Sequence, residues 1–435
     1  MPLKAMALCA LALAVPVSVG AAKADVYAIT GARVVTVAGP AYESATVVIR
    51  DGVIEAVGPD ARVPLDARVI DASGLILTPG LVDAFGGIGL TPAPPAQAGS
   101  GGGPPAANPL APETMALDSL KPAEALKARD AGITTALVIP QAGVLPGQSV
   151  LIDLVGDRAE DMVIKQPAAL HLHLTQLSRR YPNALMGTVA YVRQILYDAR
   201  RYREEWAGYE KAPLGKKRPR FSAALGAFQE VVAGRETLIV TASRQNDIRR
   251  ALALADEFKI RVAVAGAPQA YRLAGLVKQR QLPLLVSVNF DPPKPASFFG
   301  DEDEEQEKRE IEEAEKNPAE LQKAGVAFAL VSGYAPSFSA GIRKAIERGL
   351  PREDALRAVT LRAAEALGIA DRTGSLSAGK LANLVAWSGE PLAKEAKVKM
   401  VFVDGKLFEP EEKPEPKKDE KGGTPEPKPA TEATR

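Results

Sequence analysis

The chain has 435 residues, of which 46% are hydrophobic and 25% charged, long enough for a sizeable core or one large barrel. Its 54 Lys and Arg against 53 Asp and Glu leave a net charge of +1, which excludes a global field that would draw nucleic acid or an anionic membrane surface. Two histidines and one cysteine limit any metal site built on nitrogen or sulfur.

Met1 to Ala24 begins with a basic Lys4, continues through an apolar run from Ala5 to Val15 and ends in Ala22-Lys23-Ala24. This is the pattern of a cleaved secretory signal, with Ala24 the last residue removed. The apolar run is shorter than the roughly 20 residues that span a bilayer. Cys9 lies inside it, so the expected mature chain has no disulfide, thiolate metal site or cysteine nucleophile, in keeping with a periplasmic or secreted location.

Next come short β-rich runs at Tyr27–Thr30, Arg33–Val37, Thr46–Arg50 and Val53–Val57, with Asp51-Gly52 as a turn; they predict hairpins of a small antiparallel sheet. Pro92 to Pro112 is rich in Pro, Gly and Ala and reads as a solvated insertion. From Ser119 the rhythm changes: a helical stretch to Asp130 precedes a buried strand from Ile133 to Ile139. Further apolar strands are expected at Thr237–Ala242, Ile260–Ala265, Leu284–Val288 and Val326–Val331, with amphipathic helices such as Asp247–Phe258 and Ala340–Arg348 between them. Such alternation implies parallel strands with crossover connections, hence a barrel or a doubly wound sheet. Asp301 to Glu315 is charge-dense, helical in pattern and expected to be solvated.

Strand character returns at Lys380–Trp387 and Val398–Leu407, with a second turn at Asp404-Gly405, so the two chain ends are expected to complete one small β domain. Beyond Phe408, Pro, Glu, Lys, Gly and Thr dominate, and a disordered tail is expected. The expected organisation is a signal (1–24), a β-sandwich (25–78 plus 380–408), a barrel (79–379) and a tail (409–435).

Leu77-Thr-Pro-Gly-Leu-Val-Asp-Ala84 resembles the end of the first barrel strand in the metal-dependent amidohydrolase superfamily, particularly its imidazolonepropionase-like members. Ala363–Ile369, Asp371–Leu376, Gly379-Lys380 and Ala382–Val385 are similar to that family's C-terminal signature, and Ala131–Thr135, Leu145–Gln148, Met186-Gly187 and Asp247–Leu252 also look like it. The resemblance implies an α/β protein, a (β/α)8 TIM-like barrel with a small composite β-sandwich formed from both chain ends. It also implies C–N bond hydrolysis by water activated on Zn²⁺ or another divalent metal, held by imidazoles at about 2.0 to 2.1 Å.

By the same resemblance, the first strand supplies a His-x-His pair, because residues i and i+2 share one face of a strand. Here those positions fall on Phe85 and Gly87. The next expected histidines fall on Thr241, or Ser243 if the register slips by two, and on Gly266; the aspartate that ends the eighth strand falls on Gly333. None of Phe85, Gly87, Gly266 and Gly333 carries a metal-binding side chain, so no cofactor is expected.

His171-Leu172-His173 has metal-binding spacing if extended, but it lies in a middle segment, Ala168 to Gln176, with no further histidine to complete a site. A relocated metal site would have to add Asp83 or Asp153; ordinary surface or hydrogen-bonded histidines are the simpler expectation. A Ser-His-Asp arrangement lacks a Gly-x-Ser-x-Gly elbow. Gly86-Gly-Ile-Gly89 lacks the dinucleotide spacing, and Gly101-Gly-Gly103 has no Lys-Ser or Lys-Thr after it. Tyr191 to Tyr209 reads as an amphipathic helix over the barrel, and Lys211 to Arg220 as a solvated basic loop.

The sequence therefore predicts a secreted or periplasmic amidohydrolase-like protein that has lost metal catalysis. Its role would be that of a non-catalytic subunit or scaffold, partnered by a catalytically intact amidohydrolase paralogue or by its own copies, with no nucleic acid and no stable membrane span. The alternatives are an active C–N hydrolase with a relocated site at His171, His173 or Asp83, and a periplasmic small-molecule binding protein.

Overall fold

The computed structural model describes residues 25–90, 110–140, 143–175, 177, 181–290, 301–335 and 337–410, without the side chains of 301–304. The expected signal, residues 92–109 of the Pro/Gly insertion with its Gly101–Gly103 run, and the tail from 411 lie outside the described residues.

The strands in chain order are β1 (Val26–Val35), β2 (Ala41–Arg50), β3 (Val53–Gly58), β4 (Arg68–Asp71), β5 (Ile76–Pro79) and β6 (Leu81–Gly86). Next come β7 (Ile133–Val138), β8 (Gly147–Gln148), β9 (Val150–Asp153), β10 (Val163–Lys165), β11 (Leu170–His173) and β12 (Thr237–Ala242). The last six are β13 (Arg261–Gly266), β14 (Leu284–Ser287), β15 (Ala329–Val331), β16 (Leu384–Trp387), β17 (Val398–Val403) and β18 (Lys406–Phe408).

Strands from both chain ends form one eight-stranded sheet in the order β18-β17-β16-β5-β1-β2-β3, with β4 also on β1. The two Asp-Gly turns form as expected, with Asp51 and Gly52 at φ 49° and 82° and Asp404 and Gly405 at 48° and 72°. Tyr27–Thr30 and Arg33–Val37 are not two strands but the single strand β1, because Gly31 at φ 76° absorbs a register shift as a bulge. The sheet is mixed rather than antiparallel, since β4 and β5 run parallel to β1. It encloses its own core, in which Ile29, Val47, Ile49, Ile54, Leu77 and Phe402 are fully buried. Each such side chain contributes about 1.5 to 3 kcal/mol by leaving water.

The rest of the fold is α/β with a barrel-like core made of two sheets. One has the order β10-β9-β7-β6 and the other β15-β14-β13-β12-β11-β8. The run β11 to β15 is parallel throughout, and helices cross over between its members, for instance Gln245–Phe258 between β12 and β13. That helix starts where the Asp247 carboxylate accepts the Arg244 N–H at 3.1 Å, and it closes on Lys259 in the left-handed region. Its face of Ile248, Ala251, Leu252 and Phe258 packs inward. Residues 147–153 break the all-parallel expectation: β8 is antiparallel to β11 and β9 is antiparallel to β7. This stretch bridges the two sheets, helped by Ser149 N–H donating to Ala169 O at 2.9 Å. At the other margin Gly333 N–H donates to Phe85 O at 3.0 Å.

Asp301–Lys323 is one 23-residue helix, as the pattern of Asp301–Glu315 predicted, and Glu305, Gln306, Lys308, Arg309, Glu310 and Glu312 are exposed on it. Its later turns pack on the fold: Glu315 is buried, accepts from Arg348 and lies 3.5 Å from Lys344. The helix predicted at Tyr191–Tyr209 runs from Leu185 to Lys211 and buries Val192, Ile195, Leu196 and Ala199 along its first half. Among the described residues no helix is long and apolar enough to cross a membrane.

Candidate functional site

The parallel register brings the last residues of several strands to one level: His173 opposite Thr241, Ala242 opposite Gly266 and Ser287 opposite Val331. Beneath that level the barrel interior is apolar, filled by Leu137, Ile139, Ile239, Ala265, Leu285 and Val331. At that level lies a cavity of about 370 Å³. Phe85, Thr241, Gly266 and Gly333 all line it, together with His173. Gly87 does not; it lines a neighbouring cavity of about 690 Å³ with Asp83, Ser332 and Phe338.

The histidines are not surface residues. They sit on β11, which the sequence placed only in a middle segment, and the i, i+2 spacing turns both inward. His171 is fully buried, neither ring nitrogen has a hydrogen-bond partner, and its ring lies 6.0 Å from that of Phe85. Burial, and then the neighbouring His173, push its pKa well below the ordinary histidine value. His173 keeps part of its surface open to the cavity. Its Nε2 has no partner, and burial lowers its pKa to about 4 against a smaller opposing effect of the Gly143 backbone. Both imidazoles are therefore neutral at neutral pH. Neither is paired with a serine or a carboxylate, so no Ser-His-Asp constellation is assembled.

The other residues considered for a relocated metal site lie apart. Asp83 Oδ1 accepts from Ser332 N–H at 2.9 Å and Phe85 N–H at 3.4 Å, while Oδ2 has no partner; burial raises this carboxyl above the usual range. Asp153 belongs to the seam with the composite sheet, where it accepts from Thr135 Oγ1 at 2.5 Å and Asn383 Nδ2 at 3.2 Å. Burial, and then Asp404, lift Asp153 to about 7. Among the described residues no three His, Cys, Asp or Glu side chains come together as a metal-binding group.

The family's ligand positions can be tested for fit. Gly333 stands at φ 55°, and a Cβ there would collide with Ser287 Oγ, so an aspartate cannot be seated without displacing β14 side chains. Gly266 stands at φ 81°, again a conformation that a histidine adopts only under strain. Phe85 fills its place with a ring packed edge-on to Tyr334 at 5.9 Å, and the Tyr334 hydroxyl donates to Ile139 O at 3.3 Å. Asn289 Nδ2 donates to Gly333 O at 3.1 Å and holds that loop. The residues present do not fit a divalent metal at these positions.

Sequence reasoning missed Tyr334, Asn289, Phe290, Glu307 and Glu310, all of which line the cavity. The i, i+3 spacing of the two glutamates was a usable signal; the others lie beyond strand ends, where no local pattern marks them.

Comparison with known proteins defines the class first. The fold is that of an amidohydrolase from Thermotoga maritima, with a TM-score of 0.77 and 25% identity over 88% of this chain and 100% of that one. The A. niger ochratoxinase shares the fold at a TM-score of 0.56 and 16% identity, over 89% of this chain and 96% of that one. Residues 304–408 match the amidohydrolase family. The imidazolonepropionase of Erwinia tasmaniensis is 38% identical over 105 residues, 22% of this chain and 25% of that protein. That of Pseudomonas putida is 42% identical over 77 residues, 16% of this chain and 19% of that protein. The matches thus span a quarter or less of these relatives' length. The match over residues 304–408, the imidazolonepropionase relatives and the shared fold support the amidohydrolase superfamily, which the first-strand and C-terminal motifs led us to expect.

Proposed function

We propose that this protein is a non-catalytic amidohydrolase-fold subunit or scaffold of a periplasmic or secreted compartment, built on a closed barrel. The links at both margins of the two barrel sheets, through Ser149 and through Gly333, support closure. The observation that carries the functional reading is what stands at the positions where the resemblance places metal ligands. Gly333 and Gly266 adopt backbone conformations suited to glycine, and the space beside them belongs to Ser287 and to the Phe85–Tyr334 ring pair. A water-activating metal needs three or four converging donors. Here the cavity holds one unpartnered imidazole nitrogen, that of His173, with Glu307 and Glu310 on its wall, and among the described residues no three such groups come together. The partner is proposed to be an intact amidohydrolase or a second copy of this chain, because a shared ancestral surface outlasts the loss of a site.

Elemental analysis after gentle purification, with a panel of amides, cyclic amides and dipeptides, tests this reading. We expect substoichiometric metal and no turnover. Stoichiometric zinc, with turnover lost on changing both histidines to alanine, would establish the relocated hydrolase instead. Affinity purification from the native host at physiological concentration tests the partner; recovery of the single monomeric chain would count against it.

A further inference from the structure

The barrel-end cavity has a wall that its own fold leaves incompletely satisfied. His173 lines the cavity beside the Gly143 backbone, and its buried Nε2 has no hydrogen-bond partner. Thr241 Oγ1, directly across the β11–β12 pairing, is also buried without a partner. Two unpaired polar atoms side by side are an acceptor and an adaptable hydroxyl awaiting a donor.

The charge of the wall selects what kind of donor. Among the described residues that line the cavity, the acidic side chains are Glu307 and Glu310, and none is Lys or Arg. The apolar wall is aromatic: Phe85, Phe290 and Tyr334 present ring surface, which attracts cations through the ring quadrupole. The volume, about 370 Å³, suits a small molecule.

We propose that the cavity is a metal-free binding site for a small organic ammonium ion, its N–H groups on His173 Nε2 and Thr241 Oγ1 and its apolar body against Phe85, Phe290 and Tyr334. This rests on the reading of the barrel end as non-catalytic. The low pKa of His173 keeps its imidazole neutral, with one ring nitrogen able to accept, across the neutral range, and the glutamates disfavour an anion in the same space.

The chain has two histidines, so its imidazole nitrogens give a spectrum that can be assigned completely. The experiment titrates the full-length protein with benzylammonium chloride, benzyl alcohol or sodium benzoate, which share one ring, following binding by calorimetry and the imidazole ¹⁵N resonances by NMR. Benzylammonium is expected to bind at least about tenfold more tightly than the other two and to move one Nε2 resonance, assigned to His173 with a His171→Gln variant. Glu310→Gln, at the exposed rim, should weaken binding several-fold with no change in melting temperature, and Thr241→Val should weaken it as well. Equal affinities for the three ligands overturn the proposal. So does benzylammonium binding that leaves the His173 resonance in place, or no binding up to about 10 mM. Metal analysis of the same sample keeps the failures apart. Stoichiometric zinc sinks the non-catalytic reading and this one with it, whereas a metal-free protein that ignores benzylammonium sinks the cavity assignment alone.

Discussion

Two groups of buried polar side chains, at the seam and at the barrel end, are solved in opposite ways. At the seam between the composite sheet and the barrel, Asp153 accepts from Thr135 and Asn383, and Asn383 Oδ1 in turn accepts Asp404 N–H at 2.8 Å. At the barrel end, both nitrogens of His171, Nε2 of His173 and Thr241 Oγ1 have no partner. A satisfied buried network contributes to a unique fold, while an unsatisfied one costs stability and persists only where something else uses it. The seam therefore helps to hold the architecture together, and the barrel end keeps unpartnered polar atoms that the proposed ligand would use.

The largest expected effect comes from trying to rebuild the barrel end. Gly333→Asp would press Cβ onto Ser287 and force a non-glycine residue to φ 55°, so urea unfolding should report a loss of about 3 kcal/mol or more. An unchanged midpoint would mean that the end accepts a ligand side chain, and the contrast drawn above would weaken. Breaking the seam comes next. Asp153→Ala strands the donors of Thr135 and Asn383 and should cost about 2 to 3 kcal/mol, whereas Asp153→Asn should cost less.

The pH profile separates the two regions by sign. The histidines have depressed folded pKa values, so the unfolded chain takes up their protons first. Stability is then lost as pH falls from about 6.5, reaching about 4 for His173, at about 1.4 kcal/mol per pH unit for each group. Asp153 is raised, so the folded chain holds its proton longer, and its contribution is lost as pH rises from 3.8 to about 7. Denaturation midpoints across this range should show His173→Gln flattening the acid limb and Asp153→Asn the neutral one. The smallest effect is a gain. His171→Leu removes two unpaired nitrogens from the interior and should stabilise by about 1 kcal/mol in a thermal melt. A loss would mean that an ordered water or ligand already satisfies that ring.

Much of the strand order was legible. Thr237–Ala242 was read to the residue, and the strand beginning at Ile133 was read one residue too long. The resemblance at the two chain ends led to the right superfamily. Other features left no local trace. Residues 147–153 run against the neighbouring parallel strands, and β4 and β5 run parallel to β1. Pairing direction is set by where distant segments meet, which a hydrophobic pattern of period two does not encode.

What the sequence determined by itself was composition: two histidines, both in one short segment, and glycines at positions where the resemblance places side-chain ligands. What the tertiary structure alone decided was environment. Only packing puts His173 beside Thr241 with an acceptor unpaired, buries Glu315 under Arg348, and separates Asp153 from the barrel end. Residue identity sets which donors and acceptors exist, but their protonation and partners depend on burial and on neighbours that are remote along the chain.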